Sequence, residues 1–181
     1  RFPAEDMCRF ADLIAHMAAL GVRIANMSMG SSNREDWRCF EDAAARNPQI
    51  LFVVSAGNDG RDIDRQPVYP AALPLENMIV VSSSDSFGRR GRGSNVGAMA
   101  VDVMVPGERV DVIDHRGARA ETGGTSYAAP RVAALAARFL TAHPGARTEE
   151  IIDFILSRAI GAPGVPLAHG WIPDPTDDFG F

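Results

Sequence analysis

Lysine is absent from all 181 residues, and every one of the 18 basic side chains is an arginine. That absence excludes Schiff-base chemistry, a phosphate-loop lysine and a Ser/Lys dyad, because each needs an amine that sits at a phosphate or loses its proton. His16, His115, His143 and His169 are then the ordinary side-chain bases that titrate near neutrality. Cysteine is nearly as scarce. Cys8 and Cys39 are too few for a stapled scaffold and lack zinc-ligand spacing. Both lie in apolar helical stretches, so buried free thiols are expected rather than a disulfide. No apolar run approaches the roughly 18 residues of a membrane helix, and Arg1-Phe2-Pro3-Ala4-Glu5-Asp6 does not open like a signal peptide. The chain has no initiator Met and reads as a fragment or processed product.

What is present describes an ordinary globular domain: 46% hydrophobic residues, 17 Gly, 12 Pro and a net charge of −5 that gives no reason to expect a nucleic-acid partner. Met7, Phe10, Leu13, Ile14, Met17 and Leu20 recur at helical spacing behind Glu5 and Asp6 and stop at Gly21. A strand is expected over Val22–Ser28, and a helix over Glu35–Arg46 that carries Trp37 and Phe40 inward and ends before Asn47-Pro48. Ile50–Ser55 is a continuous apolar run, the pattern of a strand covered on both faces. Helix, strand, helix, strand predicts an α/β layered fold.

A long irregular stretch over 57–77 follows, of the kind that is functional or disordered. Further strands are expected at Met78–Ser83 and Val101–Val105. Arg109–Ile113 and Arg119–Thr122 read as a polar hairpin across Arg116-Gly117. Tyr127–Leu140 and a segment from Thr148 read as helices, the second with acids in its first turn. From Gly161 onward Gly and Pro dominate, so residues 1–160 are expected to form the domain and 161–181 a surface coil tail.

Two segments could carry chemistry. Gly123-Gly124-Thr125-Ser126 places a serine at the positive end of a helix, among N–H groups without intrahelical acceptors. Ser126 or Thr125 could equally act as a plain helix cap. Ser55-Ala56-Gly57-Asn58-Asp59-Gly60 stands at the carboxyl end of the most apolar strand, where open α/β sheets bind ligands. The bland alternative is a turn.

In their order, Ile24-Ala25-Asn26-Met27-Ser28-Met29-Gly30, Val53-Val54-Ser55-Ala56-Gly57-Asn58, Tyr69-Pro70-Ala71, Val101–Gly107 and Gly124-Thr125-Ser126-Tyr127-Ala128-Ala129-Pro130 resemble the subtilisin-like serine proteases over about residues 5–160. The resemblance implies a three-layer α/β fold, a mostly parallel sheet flanked by helices, here as the carboxyl-terminal part of a catalytic domain. It implies that Ser126 is the nucleophile and that Asn58 and the Ser126 N–H form the oxyanion hole. Ser28, Met29 and Gly30 would bind the substrate backbone, with Ser55, Ala56 and Gly57 as the facing wall of the first specificity pocket. Val68, before Tyr69-Pro70, would give that pocket a floor bulkier than glycine. A peptide or protein is the implied substrate, and secretion or the cell envelope the implied location.

The resemblance is incomplete. The family order is Asp, His, Ser, yet neither an Asp-Thr/Ser-Gly nor a His-Gly-Thr-His motif occurs. All four histidines read as structural or surface residues, so the missing amino-terminal part of the same catalytic domain is the implied partner and the chain alone should be weak or inert. Arg131 and Ala134 stand where many members have His and Gly. Arg89, Arg90 and Arg92 read as a solvated loop. Family members often bind calcium, but no acidic cluster here has trustworthy ligand spacing, so no metal or cofactor is assigned. Two rival readings remain. One is an α/β-hydrolase elbow at Ser126 with Asp153 and His169, disfavoured because Ala118–Thr122 is polar where that elbow needs an apolar strand. The other is a degenerate, non-catalytic module that binds a peptide or partner.

Overall fold

The computed structural model describes residues 8–176, so the expectations that rest on Glu5, Asp6, Met7 and residues 177–181 lie outside the described residues. In chain order the elements are α1 (Arg9–Ala19), β1 (Ile24–Met27), a 3₁₀ turn (Arg34–Trp37), α2 (Arg38–Ala45), β2 (Leu51–Ser55) and β3 (Met78–Ser84). Then follow β4 (Val103–Pro106), β5 (Val110–Ile113), β6 (Arg119–Thr122), α3 (Thr125–Ala142), α4 (Thr148–Ser157) and β7 (Gly170–Trp171). Asn33 caps the 3₁₀ turn, its side chain accepting from the Glu35 N–H, and this tight turn replaces the first part of the helix expected from Glu35.

The sheet runs β1-β2-β3-β4-β7, parallel at every junction. β2, β3 and β4 are buried along their whole length, and Leu51–Val54 and Met78–Val81 accordingly read as apolar runs rather than alternations. Successive side chains go to opposite faces. Phe52, Val54, Met78 and Val80 join Ile14, Trp37 and Phe40 under α1 and α2. Leu51, Val53, Ile79, Val81, Val103 and Val105 join Val132, Leu135, Ile151 and Ile155 under α3 and α4. The first face is organised by an aromatic chain from Phe10 to Trp37 to Phe40 to Phe52, with ring centroids 6.1, 5.7 and 5.2 Å apart. Such contacts contribute roughly 0.5–1.5 kcal/mol each beyond burial.

Two expectations are corrected. Cys8 and Cys39 are paired in a disulfide with their Cα atoms 5.0 Å apart, not free thiols. Helical periodicity identified the stretches that carry them but not that α1 and α2 pack side by side on one face of the sheet, which brings residues 31 positions apart together. The tail is not all surface coil. Gly170 and Trp171 pair with Val103 and Met104 as a parallel edge strand, and Ile172 is buried in the second core. A two-residue strand is too short to show any periodicity.

Candidate active site

The carboxyl ends of β1 and β2 and the start of α3 meet at one place. α3 begins at Thr125, so Ser126 is its second residue and lies half-buried, with Gly124 as the residue before the helix. Gly124 has φ +125°, and a Cβ on it would stand 2.8 Å from Asn58 Oδ1. Only glycine meets both demands.

Thr125 is the clasp between the two segments. Its N–H donates to Asn58 Oδ1 at 2.9 Å, its Oγ1 donates to the same oxygen at 3.2 Å, and that Oγ1 accepts from the Gly57 N–H at 3.2 Å. A backbone N–H can only donate, so the Asn58 atom facing α3 is the carbonyl oxygen. The amide NH₂ therefore points the other way. Neither it nor the Ser126 N–H has a protein acceptor among the described residues. Donors left without a protein acceptor on these two joined segments are of the kind that suits an oxygen gaining negative charge.

β1 runs on into Ser28, Met29 and Gly30. Ser28 Oγ donates to the Ser126 carbonyl at 3.1 Å and accepts from Asn26 Nδ2 at 3.3 Å, which ties this segment to α3. Met29 is exposed. Opposite it, Ser55 closes β2 and Ala56 is fully buried before Gly57. Ser31 and Tyr69 exchange backbone hydrogen bonds at 2.8 Å in both directions. They hold Val68 so that its Cγ1 lies 3.2 Å from a Cβ placed on Gly30 and 3.7 Å from one placed on Gly57. One methyl group thus closes the gap between the two glycines.

The four histidines are not brought to this place. All are exposed: His16 on α1, His115 in the β5–β6 turn, His143 beyond α3 and packed on Phe139 at 4.6 Å, and His169 before β7. No hydrogen bond joins any of them to Ser126 among the described residues. Arg131 accommodates its unusual position by turning to the tail, where it meets Pro106 O, Asp174 and Thr176. Of the arginine cluster, Arg89 pairs with Asp85 and Arg90 donates to the Ser94 carbonyl at 2.8 Å. Among the described residues no group of three or more His, Cys, Asp or Glu could hold a metal ion.

Sequence reasoning missed Thr125 as more than a cap and missed Asn95 altogether. Asn95 is fully buried and bonded on every side to the segment that carries Asn58. A buried asparagine in a Gly, Ser and Arg loop leaves no periodic signal; a polar residue inside a Ser-Asn-Val run beside an apolar strand was the available hint.

A model of the subtilase family matches residues 6–172. The chain belongs to the subtilase family. This subtilase is 36% identical over 151 residues to a cuticle-degrading serine protease of Arthrobotrys oligospora, covering 81% of the chain and 35% of the relative. It is 36% identical over 168 residues to the thermophilic serine proteinase of Bacillus sp. strain AK1, covering 90% and 39% respectively. A cold-adapted subtilisin-like serine proteinase superposes with a TM-score of 0.74 at 25% identity over 93% of the chain and 58% of that structure. The self-cleaved protease domain of PatA gives 0.76 at 26% identity, over 92% and 64%. The chain thus spans little more than a third of the length of these curated relatives. The α/β-hydrolase alternative falls away, because β6, the strand before Ser126, belongs to a separate antiparallel hairpin and not to the parallel sheet.

Proposed function

We propose that this chain carries the nucleophile, oxyanion hole and first specificity pocket of a serine endopeptidase, completed in a longer protein by an Asp and a His from the amino-terminal part of the same catalytic domain. The observation that carries this reading is the clasp of Thr125 on Asn58, which ties the Asn58 side chain to the residue before Ser126 and leaves its amide NH₂ without a protein acceptor among the described residues. Ser126 Oγ attacks the peptide carbonyl while a histidine takes its proton. The Asn58 NH₂ and the Ser126 N–H donate to the oxyanion. The C–N bond then breaks, the amine leaves with the proton from the histidine, and water releases the acyl group from Ser126. Without the histidine these 181 residues are weak or inactive, since an incomplete triad retains only catalysis from binding and the oxyanion hole.

Ser28, Met29 and Gly30 hold the substrate backbone, and Ser55, Ala56 and Gly57 face them. With Val68 closing the gap between Gly30 and Gly57, the pocket accepts small side chains. β1 lies at the sheet edge, paired only with β2 among the described residues, so further strands can add beside Ser28. One relative, from Natrialba magadii, is named an extracellular serine protease, which supports export of this protein too.

A second reading, a non-catalytic module that binds a peptide or partner, is favoured by the absence of any histidine at Ser126. A fluorophosphonate probe separates the two. In the full-length protein it labels Ser126, and Ser126→Ala abolishes the labelling. A folded full-length protein that takes no label is a binding module.

A further inference from the structure

Asn95 is fully buried, and neither the hydrolytic chemistry nor the fold alone accounts for where its bonds go. Its Nδ2 donates to the Ala56 carbonyl at 2.8 Å, and its Oδ1 accepts from the N–H groups of Asp59 at 3.0 Å and Arg61 at 2.9 Å. Its backbone N–H donates to the Gly57 carbonyl at 2.9 Å, and its carbonyl accepts from Ser82 Oγ at 2.6 Å. The first four bonds bracket Asn58 on both sides, and the fifth anchors the bracket in buried β3. Gly57 complements the arrangement. Its φ is +96°, and any Cβ there would stand 2.6 Å from Asn95 Nδ2, so the loop closes onto the asparagine at contact distance.

We infer that Asn95 is a positioning residue for the oxyanion hole: it fixes the backbone on both sides of Asn58, so that with Thr125 holding Oδ1 the amide NH₂ stays aimed at the place beside Ser126. This inference rests on the proposed function. Thr125 holds Asn58 Oδ1 and the Gly57 N–H but makes no bond to Asp59 or Arg61 on the far side of Asn58. Buried, fully satisfied polar groups specify one conformation because the alternatives leave a desolvated donor or acceptor without a partner. A donor displaced by about 1 Å stabilises charge poorly, and the loss falls on the chemical step rather than on substrate binding.

The test is a double-mutant cycle in the full-length protein, read as kcat and KM on a peptide substrate and as the rate of fluorophosphonate labelling at Ser126. Asn95→Ala is expected to lower kcat and labelling by roughly 10- to 100-fold with KM changed less than about 3-fold. In the Asn58→Ala background the same substitution costs less than about 3-fold, because the group it positions is gone. A purely structural role gives the opposite pattern, a multiplicative loss in both backgrounds, and that result overturns the inference. If Asn95→Ala does not fold, Asn95→Asp enters the same cycle. It keeps the acceptor for Asp59 and Arg61 and loses the donation to Ala56. A loss confined to the Asn58 background supports positioning, and an equal loss in both backgrounds overturns it. Absence of labelling and hydrolysis in the unsubstituted full-length protein would instead overturn the proposed function, and the inference with it.

Discussion

Two irregular segments of this chain are built from much the same residue types and behave as opposites. The loop after β2, residues 56–61, and the turn of the β5–β6 hairpin, residues 114–118, both combine glycine with aspartate, and Arg61 and Arg116 follow the pattern. In the hairpin the hydrogen bonds are local: Asp114 Oδ1 accepts from the N–H groups of Arg116 and Ala118 at 2.8 and 2.9 Å. Ile113 beside it is 73% exposed. In the β2 loop the bonds run to Asn95 and Thr125, residues 34 to 68 positions away. Local bonds make a turn, whereas bonds from buried, distant partners fix one side chain in a chosen direction. Placing a donor for catalysis needs the second kind.

The sharpest way to break the comparison is a glycine-to-alanine substitution made where the β2 loop meets α3 and again in the hairpin turn. Gly124→Ala adds a Cβ 2.8 Å from Asn58 Oδ1 at φ +125°. It should lower labelling of Ser126 by about 100-fold in the full-length protein, approaching the loss known for removing the oxyanion amide in subtilisin itself. A loss below about 3-fold, measured by labelling kinetics, would show that the clasp tolerates displacement.

Next in size, Val68→Gly opens the gap between Gly30 and Gly57. The unsubstituted protein should favour Ala over Phe on the acyl side of the cleaved bond, and the substitution should raise kcat/KM for the Phe peptide by about 10-fold or more, the scale of a change in pocket depth. An unchanged Phe/Ala ratio in paired peptide assays would remove Val68 from the pocket.

A smaller effect is expected where a half-buried polar group is poorly matched. Burial pushes the Asp102 carboxyl above the usual carboxylate range, against the opposing pull of the Val80 N–H at 2.7 Å and of His169. A raised folded pKa means the folded state keeps a proton that the unfolded chain has released, so this group's contribution to stability is lost as pH rises through the folded value. Asp102→Asn keeps an acceptor for Val80 and removes the titration. As pH rises above the usual carboxylate range, its melting temperature should fall less than the parent's. Equal slopes in thermal melts across that rise would contradict the shift.

The smallest effect belongs to the hairpin. Gly117 has φ +79° but nothing within 4 Å of a Cβ. Gly117→Ala should cost about 1 kcal/mol of backbone strain and leave labelling of Ser126 unchanged. A loss of labelling comparable to that of Gly124→Ala would erase the distinction between the two segments.

Much of this was legible in residues. The apolar run at Ile50–Ser55 announced a strand buried on both faces, because a parallel sheet under two helical layers leaves no polar side, and Met78–Ser83 announced a further strand. Gly124-Thr125-Ser126 announced a serine at a helix start, since the glycine and the uncapped N–H groups are local properties. The order of the motifs carried the family, and the missing Asp and His motifs carried the expectation that these residues do not act alone.

Other features had no local cause and so no local trace. The Cys8–Cys39 pair exists because α1 and α2 share a face. Ile172 is buried because β7 adds to β4 from 64 or more residues away in the chain. The direction of the Asn58 amide depends on Thr125 and Asn95, each 36 or more positions from the loop residues it binds through its side chain at Gly57 and Asp59. Sequence by itself determined most of the elements, their faces and the serine at the start of α3, because those follow from periodicity and from single residues. Only the tertiary structure decided where the free donors point, because a hydrogen bond between distant segments is a property of the folded distance between them.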